Sequence, residues 1–426
     1  MRSRSLRTGV AGGRLDSPSV EILENTVRDY AWGSPTGIPE ILGVEPDGRP
    51  WAELWIGAHT DSPSLLPGGR RLDDHLRAHP EALGRSSVDR YGDRLPFLLK
   101  ILSAGAALSI QAHPTLSRAR EGFAEEEAAG VPVDAPHRNY KDAWHKPELI
   151  HALTPFTALC GYRPIAAVRA TVARLSAAVD AAGGSERESD LALLREWDAA
   201  LALPGEDRAL AAATALLLGT EGYGGLTARL AALDLPEAPA TDPSRAGSDA
   251  DPVATLRLLE ADFPADPGAL VGVMLGRVTL LPGQSLALDA GVPHAYLRGL
   301  GVEIMASSDN VLRGGLTPKH IDLEELDRVL VHEVSAPELV TPDADGVVRG
   351  ATEDFALQRI DEATDRPVHR SGAAVILCTA GAFTVRSGEA EVPLTSGTSV
   401  FVGADEPQPV VSGSGQLFVA STGLPQ

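Results

Sequence analysis

Cysteine is nearly absent: Cys160 and Cys378 are the only two in 426 residues. This excludes a disulfide framework and fits a reducing compartment, so a cytoplasmic location is expected. Long apolar runs are absent as well. No uninterrupted stretch of about 18 apolar residues occurs, which excludes a membrane-spanning helix. The basic start, Met1 to Arg7, is not followed by the apolar core of a signal peptide, and residues 1–18 read as a disordered extension. Positive charge is in short supply, with 37 Lys and Arg against 58 Asp and Glu, a net charge of −21. That argues against non-specific nucleic-acid binding and against docking on anionic membranes. No glycine-rich phosphate loop stands between a strand and a helix, so no nucleotide cofactor is expected. What is present is a globular composition, 43% hydrophobic with a mean hydropathy of −0.03, long enough for two or three domains.

Along the chain the texture changes twice. From about 20 to 115, short apolar runs such as Glu21–Glu24, Ala52–Gly57 and Phe97–Leu102 alternate with Gly, Pro and Asp turns and read as strands. Leu72–Ala82 and Ser117–Gly130 read as helices. From 164 to 265, Ala, Val and Leu recur at helical spacing over Ile165–Ala182, Leu191–Ala202, Arg208–Leu218 and Leu226–Leu233. Within that block Pro236–Pro252, rich in Pro, Ala, Ser, Asp and Gly, is expected to be a flexible loop. Strand character returns from Val271. A short helix over Ile321–Leu330 precedes evenly spaced strands at 347–348, 355–357, 374–378, 383–385 and 398–402, punctuated by Gly381, Gly388, Gly397 and Gly403. This is the pattern of a small antiparallel jelly roll. The expected fold is mainly β with a helical insertion. Its parts are 19–163 with 266–339, the insertion 164–265, and a C-terminal jelly roll over 340–426.

The most informative residues lie in Leu108-Ser109-Ile110-Gln111-Ala112-His113-Pro114. In a strand, residues two apart project from one face. An extended Gln111-x-His113 therefore aims an amide oxygen and an imidazole at one point. Glu148 in His145-Lys146-Pro147-Glu148 and His294 in Gly291-Val292-Pro293-His294-Ala295-Tyr296 are further candidates. Two nitrogens and two oxygens suit a borderline divalent cation, zinc first, with iron, manganese or nickel as alternatives.

These segments resemble those of type I mannose-6-phosphate isomerases, in family order. Ser308-Asp309-Asn310-Val311-Leu312-Arg313-Gly314-Gly315-Leu316-Thr317-Pro318-Lys319 is similar to the family's signature segment. Tyr30-Ala31-Trp32-Gly33 and Ala52 to His59 match two others. The resemblance implies a metal-bearing cupin-like barrel, a helical insertion and a second cupin-like barrel without ligands. It places one zinc ion per chain on Gln111, His113, Glu148 and His294. His369 is the only histidine after His332, so the C-terminal region cannot assemble a comparable set.

The implied reaction moves a proton between C1 and C2 of mannose 6-phosphate and fructose 6-phosphate through a cis-enediol. It needs a base, positive charge for the enediolate oxygens, and an anchor for the phosphate. Arg313 offers a planar, permanently charged fork as the second positive centre. Candidates for the base are Asp309, Lys146, His145 and Glu303, and the sequence leaves that choice open. Because the chain is acidic, the substrate anion requires a local cationic cluster, and Lys100, Lys146, Arg313 and Lys319 fall in the segments around the metal. By resemblance, Ser109 and Lys319 contact the phosphate with Lys100 nearby. Trp32 and Tyr296 line the pocket, while Arg298 and Leu300 are expected at its rim. Expected partners are a sugar phosphate alone, with no nucleic acid and no membrane, and the chain is expected to act as a monomer. The competing functions are an iron-dependent cupin oxygenase and a non-catalytic sugar-binding cupin. The first normally wants two His and one carboxylate; the second predicts binding without turnover.

Overall fold

The computed structural model describes residues 4–5, 20–235 and 251–425. The extension expected over 1–18 lies outside these, apart from the strand Arg4–Ser5, which pairs with Thr26 and Val27. Of the loop expected over 236–252, only Asp251 and Pro252 are described. They open a helix, Pro252–Asp262, where the Asp251 side chain accepts the Val253 N–H and Pro252 occupies the first turn. Proline is tolerated there because that N–H has no intrahelical partner.

One antiparallel sheet runs in the order Thr26–Arg28, Glu53–Gly57, Phe97–Ala104, His294–Ala306, Glu148–Ala152, Ser285–Leu288, Glu338–Val340. Its central strand, His294–Ala306, belongs to two layers. The stretch from Gly299 to Ala306 pairs with Phe97–Ala104, and from Gly301 to Met305 also with Glu148–Ala152. Its first residues pair with Phe156–Tyr162 and with Gln111. The strand turns between layers at Gly299, which has φ +128°, and a Cβ there would lie 2.8 Å from the Phe156 Cα. Only glycine fits that bend. The bend curls the sheet into a barrel whose inner face carries the site.

The second sheet runs Val347–Val348, Ala356–Pro367, Val410–Ser421, Ala374–Ser387, Ser399–Val402, Glu21–Ile22, with Ala390–Thr395 added as a hairpin on Ala374–Ser387. The segments expected as separate strands at 374–378 and 383–385 are one strand, and Gly381 sits within it beside a bulge rather than between strands. Glu21–Ile22, read from sequence with the N-terminal strands, closes the edge of this C-terminal sheet. The two sheets share a core. Leu54, Ile56, Leu99, Ile101, Val302 and Ile304 of the first pack with Leu357, Val375, Leu377, Phe418 and Ala420 of the second.

The helical block comprises Ile165–Ala182, Arg187–Leu201, Glu206–Gly219, Tyr223–Ala231, Pro252–Asp262 and Gly268–Met274, packed around buried Trp197, Leu175, Leu210 and Leu256. Strand character was expected from Val271, but the chain stays helical through Met274. Every residue of Gly268–Met274 is buried, so its apolar run carries no periodicity to separate helix from strand.

Candidate metal centre and anion recess

Three neighbouring strands bring the metal candidates together. Gln111 lies in register with His294 on one side and Arg313 on the other, so these three side chains share a face. Glu148 opens its strand opposite Met305 of the central strand. His113 follows one residue beyond the two-residue strand Gln111–Ala112. The strand is therefore shorter than the extended Gln111-x-His113 expected, and Ser109 lies in irregular backbone. His113 Nε2 is 3.2 Å from Glu148 Oε1, and His294 Nε2 is 3.4 Å from Glu148 Oε2. Donor atoms of the three residues all lie within 4.8 Å of one another.

The donor set fits a divalent cation. His113 Nδ1 is 2.8 Å from the Asn310 carbonyl, and His294 Nδ1 is 2.8 Å from the Val292 carbonyl. A carbonyl only accepts, so each Nδ1 carries the proton and each Nε2 presents a lone pair to the centre. His113 Nε2, His294 Nε2 and Glu148 Oε2 are buried without a hydrogen-bond partner, the state expected of atoms made to bind an ion. Burial, with Lys146 close by, pushes His113 down to about 4, which keeps it neutral. Burial alone would raise the Glu148 carboxyl, but Lys146 and His113 outweigh it and hold the group well below the usual carboxylate range. The Lys146 ammonium is 2.7 Å from Glu148 Oε1.

A second buried cluster adjoins this one. Lys100 and Glu303 stand opposite each other in register, with the Lys100 Nζ 3.1 Å from Glu303 Oε2 and 3.2 Å from Glu53 Oε1. Trp55 Nε1 donates to Glu53 Oε2 at 2.8 Å, and the ammonium lies 5.2 Å from the Trp55 ring centre. Burial opposes the Lys100 charge, but Glu303, Glu53 and Glu148 hold its pKa above the ordinary value. Glu303 is raised, chiefly by burial. The Tyr296 hydroxyl is buried without a hydrogen-bond partner, and Trp32 packs against the cluster that contains Tyr296.

The loop after the central strand carries Asp309 and Arg313. Asp142 shapes it, accepting from Ser308 Oγ at 2.9 Å and from the Asp309 N–H at 3.0 Å. Asn310 donates to the carbonyls of Asp142 and Trp144 and accepts the Lys141 N–H. Asp309 Oδ2 is 3.4 Å from His59 Nε2. Burial pushes Asp309 up, but His59, Lys146 and Lys141 prevail and hold it far below the usual range. Arg313 is half-buried, and among the described residues no carboxylate, Asp309 and Glu303 included, pairs with it. Lys319 is exposed, its pKa lowered by partial burial and by the charges of Arg313 and Lys141. Arg313, Lys319 and Lys141 thus lie close enough to act on one another's charge, in a chain of net charge −21.

Two candidates are placed elsewhere. His145 Nε2 is 2.8 Å from Asp354 Oδ2, so the imidazole faces the C-terminal barrel rather than Glu148. Proline at 147 and the turn before the strand send neighbouring side chains in different directions, and sequence proximity does not reveal this. Arg298 is not free at the rim. It forms a two-pronged pair with Asp262, at 2.7 and 2.9 Å.

Comparison with known proteins decides the family. The model of the phosphomannose isomerase type I catalytic domain matches residues 20–165, and that of the mannose-6-phosphate isomerase cupin domain matches 349–422. The mannose-6-phosphate isomerase of Escherichia coli K12 is 36% identical over 93% of this chain and 97% of its own length. This chain belongs to the type I phosphomannose isomerases. The rat enzyme is 31% identical over 92% of this chain and 95% of its own length. A crystal structure of a mannose 6-phosphate isomerase bound with zinc and yttrium superposes with a TM-score of 0.81 at 35% identity, covering 96% of this chain and all of that one. The family's cupin architecture is thus the fold of this chain. Within it, sequence reasoning passed over His59, Lys141, Asn310 and Asp142. His59 and Asn310 stood in quoted motifs without being singled out; Lys141 and Asp142 stood in none, and no spacing announces them.

Proposed function

We propose that this phosphomannose isomerase interconverts mannose 6-phosphate and fructose 6-phosphate at a single zinc ion held by His113, Glu148, His294 and Gln111. The observation that carries the reading is the convergence of three buried, partnerless donor atoms beside a cationic recess. In this reading the barrel formed by 19–163 and 266–339, less the helix Gly268–Met274 and the turn before it that pack in the helical block, carries the reaction and 340–426 is structural. When bound, the ion supplies a Lewis acid for the substrate's C1 and C2 oxygens.

The chain's own residues do the remainder. Asp309, kept ionised by His59 and Lys146, takes the proton from the carbon next to the carbonyl and returns it to the neighbouring carbon. The Arg313 guanidinium, unopposed by a carboxylate, stabilises the negative charge that develops on the enediolate oxygens. The Lys146 ammonium moves a proton to and from those oxygens. Lys319, with Lys141 and Ser109, binds the phosphate and keeps the reacting carbons in register. Lys100 is saturated by Glu53 and Glu303. Its charge fixes the Glu303 carboxylate for sugar hydroxyls rather than meeting the phosphate. Trp32 and Tyr296 complete the wall.

The test is a coupled assay with mannose 6-phosphate on protein of measured metal content. Chelation should abolish turnover and one equivalent of zinc should restore it. Full activity in metal-free protein would overturn the reading.

A further inference from the structure

Among the described residues the helical insertion donates no metal ligand, yet one short turn of it reaches both segments that carry the anion-binding side chains. That turn joins the helices Pro252–Asp262 and Gly268–Met274. Asp262 Oδ2 accepts the Ala107 N–H at 2.8 Å, two residues before Ser109, while both of its oxygens hold Arg298. Four residues on, Asp266 Oδ1 accepts the Leu316 N–H at 3.1 Å and the Gly268 N–H at 2.8 Å, and its Oδ2 accepts the Thr317 N–H at 2.9 Å. Leu316 and Thr317 lie between Arg313 and Lys319.

The Leu316 backbone needs such a hold. Its φ is +55°, a left-handed conformation that a residue with a side chain rarely adopts without support from its surroundings. The side chain is buried in the helical core, which fixes the loop from the other side. The backbones also meet at close range: a Cβ on Gly315 would lie 2.4 Å from the Gly268 Cα, and one on Gly268 would lie 2.5 Å from the Leu316 nitrogen. Hydrogen bonds from N–H groups to a carboxylate are among the stronger ones, and two of the three cross from the insertion to the loop.

We propose that Asp266 is a positioning residue for phosphate binding. Its carboxylate holds the Leu316–Thr317 backbone in the conformation that places Lys319 at the phosphate, so the helical insertion sets phosphate affinity without touching the substrate. Asp262 supports the facing Ala107–Ser109 segment in the same way. The inference rests on the assignment of the phosphate to Lys319.

The experiment compares Asp266→Ala, Asp266→Asn and Lys319→Ala with the parent holoenzyme. Zinc content, kcat and KM for mannose 6-phosphate are measured, together with competitive inhibition by inorganic phosphate. Asp266→Ala should retain zinc, raise KM about tenfold and weaken phosphate inhibition by the same factor, with kcat falling less than threefold. Asp266→Asn keeps the shape and one acceptor oxygen but turns an N–H donor towards its neighbours, and it should show the same split at smaller size. A KM and a phosphate inhibition constant within twofold of the parent in either variant overturn the proposal, and the Asn variant decides it should the Ala variant fail to fold. A general structural role would instead lower kcat or zinc content with KM unmoved, which also overturns it. If Lys319→Ala changes neither KM nor phosphate inhibition while the Asp266 variants change both, the phosphate assignment to Lys319 fails and the role of the loop stands.

Discussion

The two barrels have related architectures and opposite interiors. The first buries Lys100, Lys146, Glu53, Glu148, Glu303, His113 and His294. The second encloses Ile376, Val385, Phe383, Val400, Val411, Leu417 and Val419. Burying charge costs several kcal/mol per ion before pairing repays it, so a stability-driven interior would resemble the second barrel. The charges of the first persist because a compact cation, a sugar and a developing negative charge need them, and the second barrel shows what the same architecture holds without that demand.

The comparison breaks most visibly at the metal. Glu148→Ala should reduce turnover by at least about a thousandfold and empty the site of zinc, since an open barrel with two imidazoles lacks the anionic ligand. Metal analysis and the coupled assay on the same sample check this; retained zinc with retained turnover would mean that Glu148 is not a ligand. Arg313→Ala follows, with kcat lower by about a hundredfold or more while zinc content and the unfolding midpoint stay near the parent's. Near-normal kcat would remove Arg313 from the reaction.

The second barrel should answer differently. Phe383 is 2% exposed within its apolar cluster. Phe383→Ala should cost about 3–5 kcal/mol of stability, measured by urea unfolding, with kcat and KM of the folded protein unchanged. A selective loss of kcat would mean that the second barrel does more than support the first.

This division also explains what the sequence made legible. The Gln111-x-His113 pair, Glu148 and His294 stand in short distinctive segments, and both the long helices and the C-terminal strands carry clear periodicity. Gly268–Met274 does not, because it is buried all round. His145 could not be told from Lys146 by position, since only the fold shows one turned to Asp354 and the other to Glu148. Asp266 was invisible because its work is done on backbone N–H groups fifty residues away in sequence. Motifs reveal the groups that touch a ligand; the groups that aim them are written in packing.

The smallest effect lies at the seam between the barrels. His151, on Glu148–Ala152 of the first, sits 2.8 Å from Ser285 Oγ, and its Nε2 accepts from Arg359 of the second barrel at 3.4 Å, with Phe418 against the ring. An arginine can only donate, so Nε2 is unprotonated and Nδ1–H donates to Ser285. Burial, reinforced by the Arg359 charge, pushes this imidazole down to about 4. The unfolded chain, with an ordinary value near 6.5, binds a proton there that the folded chain refuses. The stabilising contribution is therefore complete above about pH 6.5, shrinks as pH falls towards about 4, and amounts to at most about 3 kcal/mol. His151→Gln removes the titration, so the stability difference between parent and variant should narrow or reverse between pH 7 and pH 5 in urea unfolding. A difference that stays constant over that interval would mean the imidazole is not held neutral at the seam.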